Sequence, residues 1–133
     1  MNDRSRIAIL AIEDEEILRN NIVSYLDDSG YAVSGAANGR TGLEMFRRHR
    51  PDLVLLDLRM PEMGGLDVLG EIRKESPDTP VIIVSGTGNI IDAIEAIHLG
   101  AWDYINKPIV EMEVLDYAIG RSLERSRLIK ENE

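Results

Sequence analysis

Short runs of apolar residues alternate along this chain with longer stretches in which apolar residues recur every three or four positions. The short runs predict β-strands, and the stretches with helical spacing predict an amphipathic helix after each strand. The predicted strands cover Ile7–Ile12, Tyr31–Ala36, Asp52–Asp57, Thr79–Ser85 and Trp102–Asn106. Strands that alternate with helices pair in parallel and are covered by helices on both faces. The pattern therefore predicts an α/β protein with five strands and five helices, built as a three-layer α/β/α sandwich.

The last predicted helix begins near Val110 and continues past the apolar residues that can pack on the sheet. Its final part is mostly charged but keeps residues that favour helices. We expect a disordered tail over residues 1–5, one domain over residues 6–123 and a helical extension over residues 124–133. The extension is open to three interpretations, namely a fraying end, a linker to an effector domain, or a short pairing helix in a dimer.

Composition and charge narrow the choice of partners. The 133 residues, of which 44% are hydrophobic, suffice for one domain with a sizeable core. The net charge of -9 repels nucleic acid and anionic membranes, so we expect direct binding to neither. No apolar stretch approaches the roughly 18 residues of a membrane span. Cysteine is absent, which excludes disulfides and thiolate metal sites and favours a cytoplasmic location.

Residues that can take part in phosphate chemistry stand at the ends of four predicted strands. They are Glu13, Asp14 and Glu15 after the first strand, Asp57 at the end of the third, Ser85 at the end of the fourth and Lys107 after the fifth. The carboxyl ends of parallel strands meet at one edge of the sheet, where open α/β folds bind ligands. We therefore expect these side chains to gather in one site.

The types of these side chains favour phosphoryl transfer. Asp57 is the best candidate for the nucleophile, because a carboxylate beside a divalent cation and a fixed ammonium can attack phosphorus. Glu13 and Asp14 would share a Mg²⁺ ion with it, since a cation relieves the repulsion between clustered acids. Lys107 would contact the phosphoryl group, and Ser85 would donate a hydrogen bond to it. Each residue alone has an ordinary explanation, such as an acid that stabilises a helix start, but together they favour a phosphate site.

Several motifs around these residues match a known family. They are Glu13-Asp14, Leu56-Asp57-Leu58-Arg59-Met60-Pro61, Gly64-Gly65, Ser85-Gly86, Gly100-Ala101, Tyr104 and Lys107-Pro108. Over about residues 6–123 the chain thereby resembles the receiver domains of bacterial two-component response regulators. The resemblance implies a doubly wound, flavodoxin-like sheet of five parallel strands in the order 2-1-3-4-5.

The resemblance also implies roles for individual residues. The implied magnesium site consists of Glu13, Asp14, Asp57 and the backbone carbonyl of Arg59, and the implied switch consists of Ser85, Lys107 and Tyr104, with a cis peptide at Lys107–Pro108. Asp57 would accept a phosphoryl group from a histidine of a sensor histidine kinase or phosphotransfer protein. Glu13 stands where the family more often has aspartate, and its extra methylene can place the metal contact through water. Arg59 and Thr87 flank the site and, by resemblance, tune the lifetime of the phosphoryl group.

The implied function is that of a signalling phospho-acceptor rather than an enzyme, although it supports its own Mg²⁺-dependent phosphorylation and dephosphorylation. Phosphorylation would move Ser85 and Tyr104 and change the surface of the fourth helix, fifth strand and fifth helix. The output would be an effector domain in the same chain or a partner protein, and a homodimer is a further expectation. The alternative is a receiver-like module that binds proteins without phosphorylation.

Other classes of phosphate-binding protein fit the motifs less well. The sequence has no G-x-x-x-x-G-K-[ST] loop, and Gly86-Thr87-Gly88 lacks the third glycine of a dinucleotide fingerprint. An aspartyl phosphatase is disfavoured because Arg59 occupies the place of its second aspartate, and a flavin site would need loops less acidic than these. His49 and His98 lie near predicted helix ends, away from the acidic cluster. The phosphohistidine is therefore expected on a different protein.

Overall fold

The structure is a computed structural model that describes residues 4–86 and 90–132. Over these residues the chain forms the strands β1 (Ala8–Ile12), β2 (Ala32–Ala36), β3 (Leu53–Leu56), β4 (Val81–Ser85) and β5 (Asp103–Asn106). A short 3-10 helix at Arg4–Arg6 precedes the helices α1 (Glu16–Asp28), α2 (Gly39–His49), α3 (Gly65–Glu75), α4 (Ile90–His98) and α5 (Met112–Glu131). The strands form one parallel sheet in the order β2-β1-β3-β4-β5. The predicted α/β fold and the strand order implied by the resemblance are therefore confirmed.

Helices cover both faces of the sheet and give the domain two hydrophobic cores. One core contains residues of α1 and α5, which include Ile22 and Leu115. The other contains residues of α2, α3 and α4, which include Phe46, Ile72 and Ala96. Every residue of β3 and β4 is buried, because successive strand side chains point into opposite cores. Polar side chains of these central strands can therefore reach solvent only at the strand ends.

The register of the central strands fixes where the polar side chains emerge. Ile12, the last residue of β1, pairs with Leu56 of β3, and Leu56 pairs with Ile83 of β4. The chain leaves β1 and β3 at the same level of the sheet, since the strands are parallel. Glu13 and Asp57 are consequently neighbours at the carboxyl edge.

The first described residues lie at the end of the tail expected over residues 1–5. Arg4–Arg6 form a 3-10 turn. The guanidinium carbon of Arg4 lies 4.9 Å from the ring centroid of Tyr31, and its Nη1 lies 3.6 Å from Asp116 Oδ1. These contacts place the turn beside the sheet, and the disordered tail over residues 1–5 stays a prediction. The residues before Arg4 lie outside the described part of the chain.

The last helix, α5, starts at Met112 rather than near Val110 and continues as one helix to Glu131. Its buried residues include Ser122 and Ser126, which are 5% and 7% exposed. The helix therefore stays packed on the domain past the boundary expected at residue 123, and the helical extension follows without a break. No helix in the described ranges is both long and apolar enough to cross a membrane.

Candidate functional site

Three carboxylates meet at the carboxyl edge of the sheet. Glu13 follows β1, Asp14 comes next to it, and Asp57 follows β3. One carboxylate oxygen from each residue lies within 4.8 Å of the other two. Glu13 and Asp57 are 2% and 3% exposed, whereas Asp14 is exposed to solvent. The cluster thus has two buried carboxylates and one open side, and its hard oxygen ligands suit a divalent cation such as Mg²⁺.

The ammonium of Lys107 joins the same cluster. Lys107 Nζ lies 2.8 Å from Glu13 Oε1, 3.5 Å from Asp57 Oδ2 and 4.0 Å from Glu15 Oε1. Its backbone N–H donates to the carbonyl oxygen of Ser85 at 3.0 Å, which ties the end of β5 to the end of β4. The lysine therefore offsets part of the negative charge that the carboxylates concentrate.

Backbone hydrogen bonds hold the two buried carboxylates in place. Glu13 Oε2 accepts a hydrogen bond from the backbone N–H of Glu15 at 3.1 Å, and the Glu13 carbonyl oxygen accepts one from Arg19 Nη1 at 2.9 Å. Asp57 Oδ1 accepts a hydrogen bond from the backbone N–H of Arg59 at 3.2 Å. The other oxygen of each carboxylate faces Lys107. The positions of these carboxylates are therefore set by the loops that follow β1 and β3.

This environment raises the pKa of Asp57 from its ordinary 3.8 to about 7. Burial is the largest cause, because it disfavours the charged form, and the negative charge of Glu13 and a hydrogen bond with Asp14 act in the same direction. Lys107 and the backbone N–H of Arg59 act against these effects. Without a further cation, the carboxyl group of Asp57 is therefore partly protonated near neutral pH.

The pKa of Lys107 is raised as well, although burial alone would lower it. The hydrogen bond with Glu13 and the negative charges of Asp57, Glu13 and Glu15 outweigh the burial. The lysine is therefore a fixed positive charge over the whole physiological pH range.

Ser85 is fully buried at the end of β4. Its Oγ has no hydrogen-bond partner within the part of the chain that the structure describes. A buried hydroxyl without a partner is unusual, since leaving a polar group unpaired costs free energy. The next residue, Gly86, packs on Lys107, because a Cβ at Gly86 would lie 3.3 Å from Lys107 Cβ. Among the described residues, Ser85 Oγ is thus a buried hydroxyl group without a partner, on a residue whose backbone carbonyl is bonded to the N–H of Lys107.

Two further residues of the expected switch, Tyr104 and Pro108, lie in β5 and shortly after it. The Lys107–Pro108 peptide bond is cis. The half-buried ring of Tyr104 packs against the core that α2, α3 and α4 share. Thr87 lies outside the described residues. The inward turn of Tyr104 and the metal contact of the Arg59 carbonyl stay predictions.

The domain that carries the acidic cluster, the lysine and the buried hydroxyl group matches a known family. Residues 9–119 match the family model of the response regulator receiver domain. The chain belongs to the response regulator receiver family. The family membership predicted from the motifs is thus confirmed, and the domain is homologous to CheY-like phospho-acceptor domains.

Curated relatives of this receiver domain are longer proteins. The chain is 37% identical over 123 residues to the regulatory protein AtoC of Escherichia coli (strain K12), covering 92% of this chain and 26% of that protein. It is 40% identical over 130 residues to a putative NtrX-like response regulator of Rickettsia bellii (strain RML369-C), covering 96% of this chain and 27% of that protein. The chain therefore spans about a quarter of the length of these two relatives.

Solved receiver domains share the fold closely. The signal receiver domain of a putative LuxO repressor protein from Vibrio parahaemolyticus has a TM-score of 0.89 and 32% identity, covering 96% of this chain and 98% of that chain. The receiver domain of NtrX from Brucella abortus has a TM-score of 0.83 and 36% identity, covering 87% of this chain and 98% of that chain.

The tertiary structure gives Gly65 of the receiver domain a role that sequence reasoning missed. A Cβ at Gly65 would overlap the carbonyl oxygen of Asp57 and lie 2.6 Å from Leu58 Cα. Only glycine therefore lets the first residue of α3 approach the backbone of the phospho-acceptor candidate this closely. The sequence shows the Gly64-Gly65 pair as part of the family motif, but it does not show that Gly65 contacts the backbone of Asp57.

A second missed feature involves the side chain of Arg59. Arg59 Nη2 lies 2.6 Å from Asp92 Oδ2, in the first turn of α4. The two residues are 33 positions apart in the chain, so no local sequence pattern could have paired them.

Proposed function

We propose that this receiver domain is a phosphorylation switch in which Asp57 accepts a phosphoryl group from a histidine of a sensor histidine kinase or a phosphotransfer protein. One observation carries the proposal: the buried carboxylate of Asp57 shares a cluster with Glu13 and Asp14 and lies 3.5 Å from the ammonium of Lys107. Fixed charges of this kind favour phosphoryl transfer, because that reaction depends mainly on positioning and charge neutralisation.

The proposed transfer forms one bond to phosphorus and breaks another. A carboxylate oxygen of Asp57 forms a bond to phosphorus while the phosphorus–nitrogen bond of the phosphohistidine breaks. The leaving imidazole takes up a proton from solvent, and the product is an acyl phosphate on Asp57. The domain is thus a phospho-acceptor that supports its own phosphorylation and later hydrolysis.

Mg²⁺ is the cofactor that we propose for this reaction. The carboxylates of Glu13, Asp14 and Asp57 would hold it together with the backbone carbonyl of Arg59, and the oxygens within 4.8 Å of one another support this assignment. When bound, the ion supplies positive charge that favours the ionised form of Asp57 and neutralises phosphoryl oxygens. The pairing of Glu13 with Lys107 means that Glu13 would serve both the metal and the lysine.

Lys107 and Ser85 are the proposed contacts of the phosphoryl group. The phosphoryl group would give Lys107 a stronger partner than Glu13, since it adds nearly two negative charges. The Ser85 hydroxyl group would donate to a phosphoryl oxygen, which would explain why this buried group has no partner among the described residues. Movement of Ser85 would then let Tyr104 turn inward.

The output of the switch would pass through the surface formed by α4, β5 and α5. We propose that residues 124–133 link the receiver, over residues 6–123, to an effector domain of a longer protein, because the chain spans 26% and 27% of two relatives. The unbroken α5 helix supports a stiff linker. An output through a partner protein, a homodimer and a cytoplasmic location belong to the same proposal.

Phosphorylation by a small-molecule donor tests the proposal directly. The protein is incubated with acetyl phosphate and Mg²⁺, and its intact mass is measured. Wild type should gain one phosphoryl group, a sample with excess EDTA should gain none, and Asp57→Asn should gain none. Asp67→Asn, which changes an exposed carboxylate on α3, is the matched control and should behave as wild type. Phosphorylation of Asp57→Asn to the wild-type level would overturn the assignment of the acceptor.

A further inference from the structure

An ion pair connects the acceptor loop to α4. Arg59 Nη2 lies 2.6 Å from Asp92 Oδ2, and the two side chains are 65% and 18% exposed. The backbone N–H of the same arginine donates to Asp57 Oδ1 at 3.2 Å. Arg59 therefore touches the phospho-acceptor with its backbone and the first turn of α4 with its side chain.

The helix at the other end of this ion pair is weakly anchored. Ala96 is the buried residue of α4. The isoleucines of α4 are largely exposed, with values of 73% for Ile90, 67% for Ile91, 51% for Ile94 and 49% for Ile97. Because α4 buries little apolar surface, loss of the ion pair with Arg59 should be measurable as more frequent local opening of its first turn.

Arg59 is also within reach of the reacting group. It lines the same cavity of about 440 Å³ as Asp57 and Lys107. Lys107 Nζ is bound to Glu13 at 2.8 Å and Arg59 Nη2 to Asp92 at 2.6 Å, so each of the two cations already has a carboxylate partner. A new anion on Asp57 would therefore compete with Asp92 for the guanidinium group.

We propose that the Arg59 guanidinium exchanges partners, from Asp92 in the resting domain to the phosphoryl group on Asp57, and that this exchange releases the first turn of α4. The proposal rests on the proposed phosphorylation of Asp57. A phosphoryl group carries about two negative charges against one on a carboxylate, and arginine binds phosphate oxygens through two parallel hydrogen bonds. Arg59 and Asp92 together thus couple the chemistry at the acceptor to the freedom of α4.

Hydrogen–deuterium exchange of the unphosphorylated protein tests whether the ion pair between Arg59 and Asp92 holds the first turn of α4. Arg59→Gln and Asp92→Asn should each speed amide exchange in the first turns of α4 about two- to fivefold, the size expected from one partly exposed ion pair. Both variants are needed, because a carboxylate in the first turn also stabilises the helix dipole. An effect of Asp92→Asn without an effect of Arg59→Gln would show a dipole effect only and would overturn the proposal.

A matched control breaks an ion pair elsewhere. Arg47 Nη2 lies 2.8 Å from Glu75 Oε2, between α2 and α3, and Glu75→Gln should leave the exchange of α4 at the wild-type level. A similar acceleration in this control would mean that α4 responds to any loss of charge, which contradicts a specific link.

Beryllofluoride with Mg²⁺ mimics the phosphoryl group and tests whether Arg59 leaves Asp92 when Asp57 is modified. It should raise the exchange of α4 in wild type to about the level of Asp92→Asn, and it should add little to the exchange of Asp92→Asn itself. Unchanged exchange in wild type, with beryllofluoride shown to be bound by fluorine NMR, would overturn the partner exchange. Absence of bound beryllofluoride would instead count against the proposed function, while the resting-state comparison still decides the role of the ion pair.

Discussion

Lys107 Nζ lies closer to Glu13 Oε1, at 2.8 Å, than to Asp57 Oδ2, at 3.5 Å. The lysine that should meet the phosphoryl group is therefore held, in the resting domain, by a carboxylate that should also meet the metal. Glu13 and Asp57 are both buried, and the negative charge of Glu13 helps to raise the pKa of Asp57. Because Lys107 contacts both carboxylates, a substitution that removes one charge should change the electrostatics of the whole site.

Removing the charge of Glu13 should change both the pKa of Asp57 and the affinity of the site for Mg²⁺. In Glu13→Gln the pKa of Asp57 should fall below about 7, because the charge of Glu13 is the second-largest cause of its rise. Mg²⁺ should bind about tenfold more weakly, as one ligand charge is lost. NMR of the Asp57 carboxyl carbon measures the pKa, and calorimetric titration measures the affinity for Mg²⁺.

Glu15→Gln is the control for this change. Glu15 Oε1 lies 4.0 Å from Lys107 Nζ on a side chain that is 65% exposed, so its removal should leave both quantities near wild type. Equal effects of the two variants would contradict a special role for Glu13.

The raised pKa of Asp57 should make the stability of the metal-free domain depend on pH. The pKa is 3.8 for an ordinary aspartate and about 7 in the folded domain, so the folded state binds the proton more tightly between these values. The stabilisation is complete below about pH 4 and is lost as the pH rises through about 7. Relative to Asp57→Asn, wild type should lose on the order of 4 kcal/mol of unfolding free energy between about pH 4 and pH 8.

Urea denaturation in EDTA measures this difference, and a repeat in saturating Mg²⁺ provides the comparison. The pH dependence should shrink with Mg²⁺, because a bound cation favours the ionised carboxylate. A constant difference between wild type and Asp57→Asn across the pH range in EDTA would refute the assigned environment of Asp57.

Loss of the lysine should expose the repulsion between the buried acids. In Lys107→Gln the pKa of Asp57 should rise above about 7, because the ammonium lowers it in wild type. The variant should be destabilised by about 1–3 kcal/mol at pH 8 and by less at pH 5, where protonation relieves the repulsion. Denaturation at the two pH values measures the contrast.

Lys74→Gln serves as the matched lysine control. Lys74 Nζ lies 3.8 Å from Glu71 Oε1, with a side chain that is 77% exposed, so its replacement should change stability by no more than about 0.5 kcal/mol at either pH. If both lysine variants behave alike, burial of the Lys107 pair has no energetic consequence.

Two glycines of α3 should respond to alanine in opposite directions. Gly65→Ala should destabilise the domain by about 1–3 kcal/mol, because the new Cβ overlaps the Asp57 carbonyl oxygen. Gly70→Ala should stabilise it by about 0.5–1 kcal/mol, since no described atom beyond the neighbouring residues and backbone of its own helix lies within 4 Å of the added Cβ, and alanine favours helix. Thermal or urea denaturation in the absence of phosphate donors compares the two. A stability gain in Gly65→Ala would show that the loop after β3 has room to move.

Local patterns were enough to predict the elements of this fold. The buried runs of β3 and β4 and the helical spacing between them are properties of neighbouring residues, so they predicted strands and helices before any contact was known. The predicted boundaries differ from the observed ones by one or two residues, as at Met112, because helix and strand ends depend on capping and packing. Local patterns also give no sign of the contacts of Arg4 with Tyr31 and Asp116, because these residues are distant in sequence.

The sequence by itself determined which chemical groups stand at the strand ends, because a parallel sheet brings all carboxyl ends to one edge. It therefore predicted that Glu13, Asp57 and Lys107 would meet there. Only the tertiary structure decided which ion pairs form around the site. These include the short contact of Lys107 with Glu13 and the ion pair between Arg59 and Asp92. Differences of an ångström between competing ion pairs depend on how separate elements pack, and this packing is not encoded in the local spacing of residues.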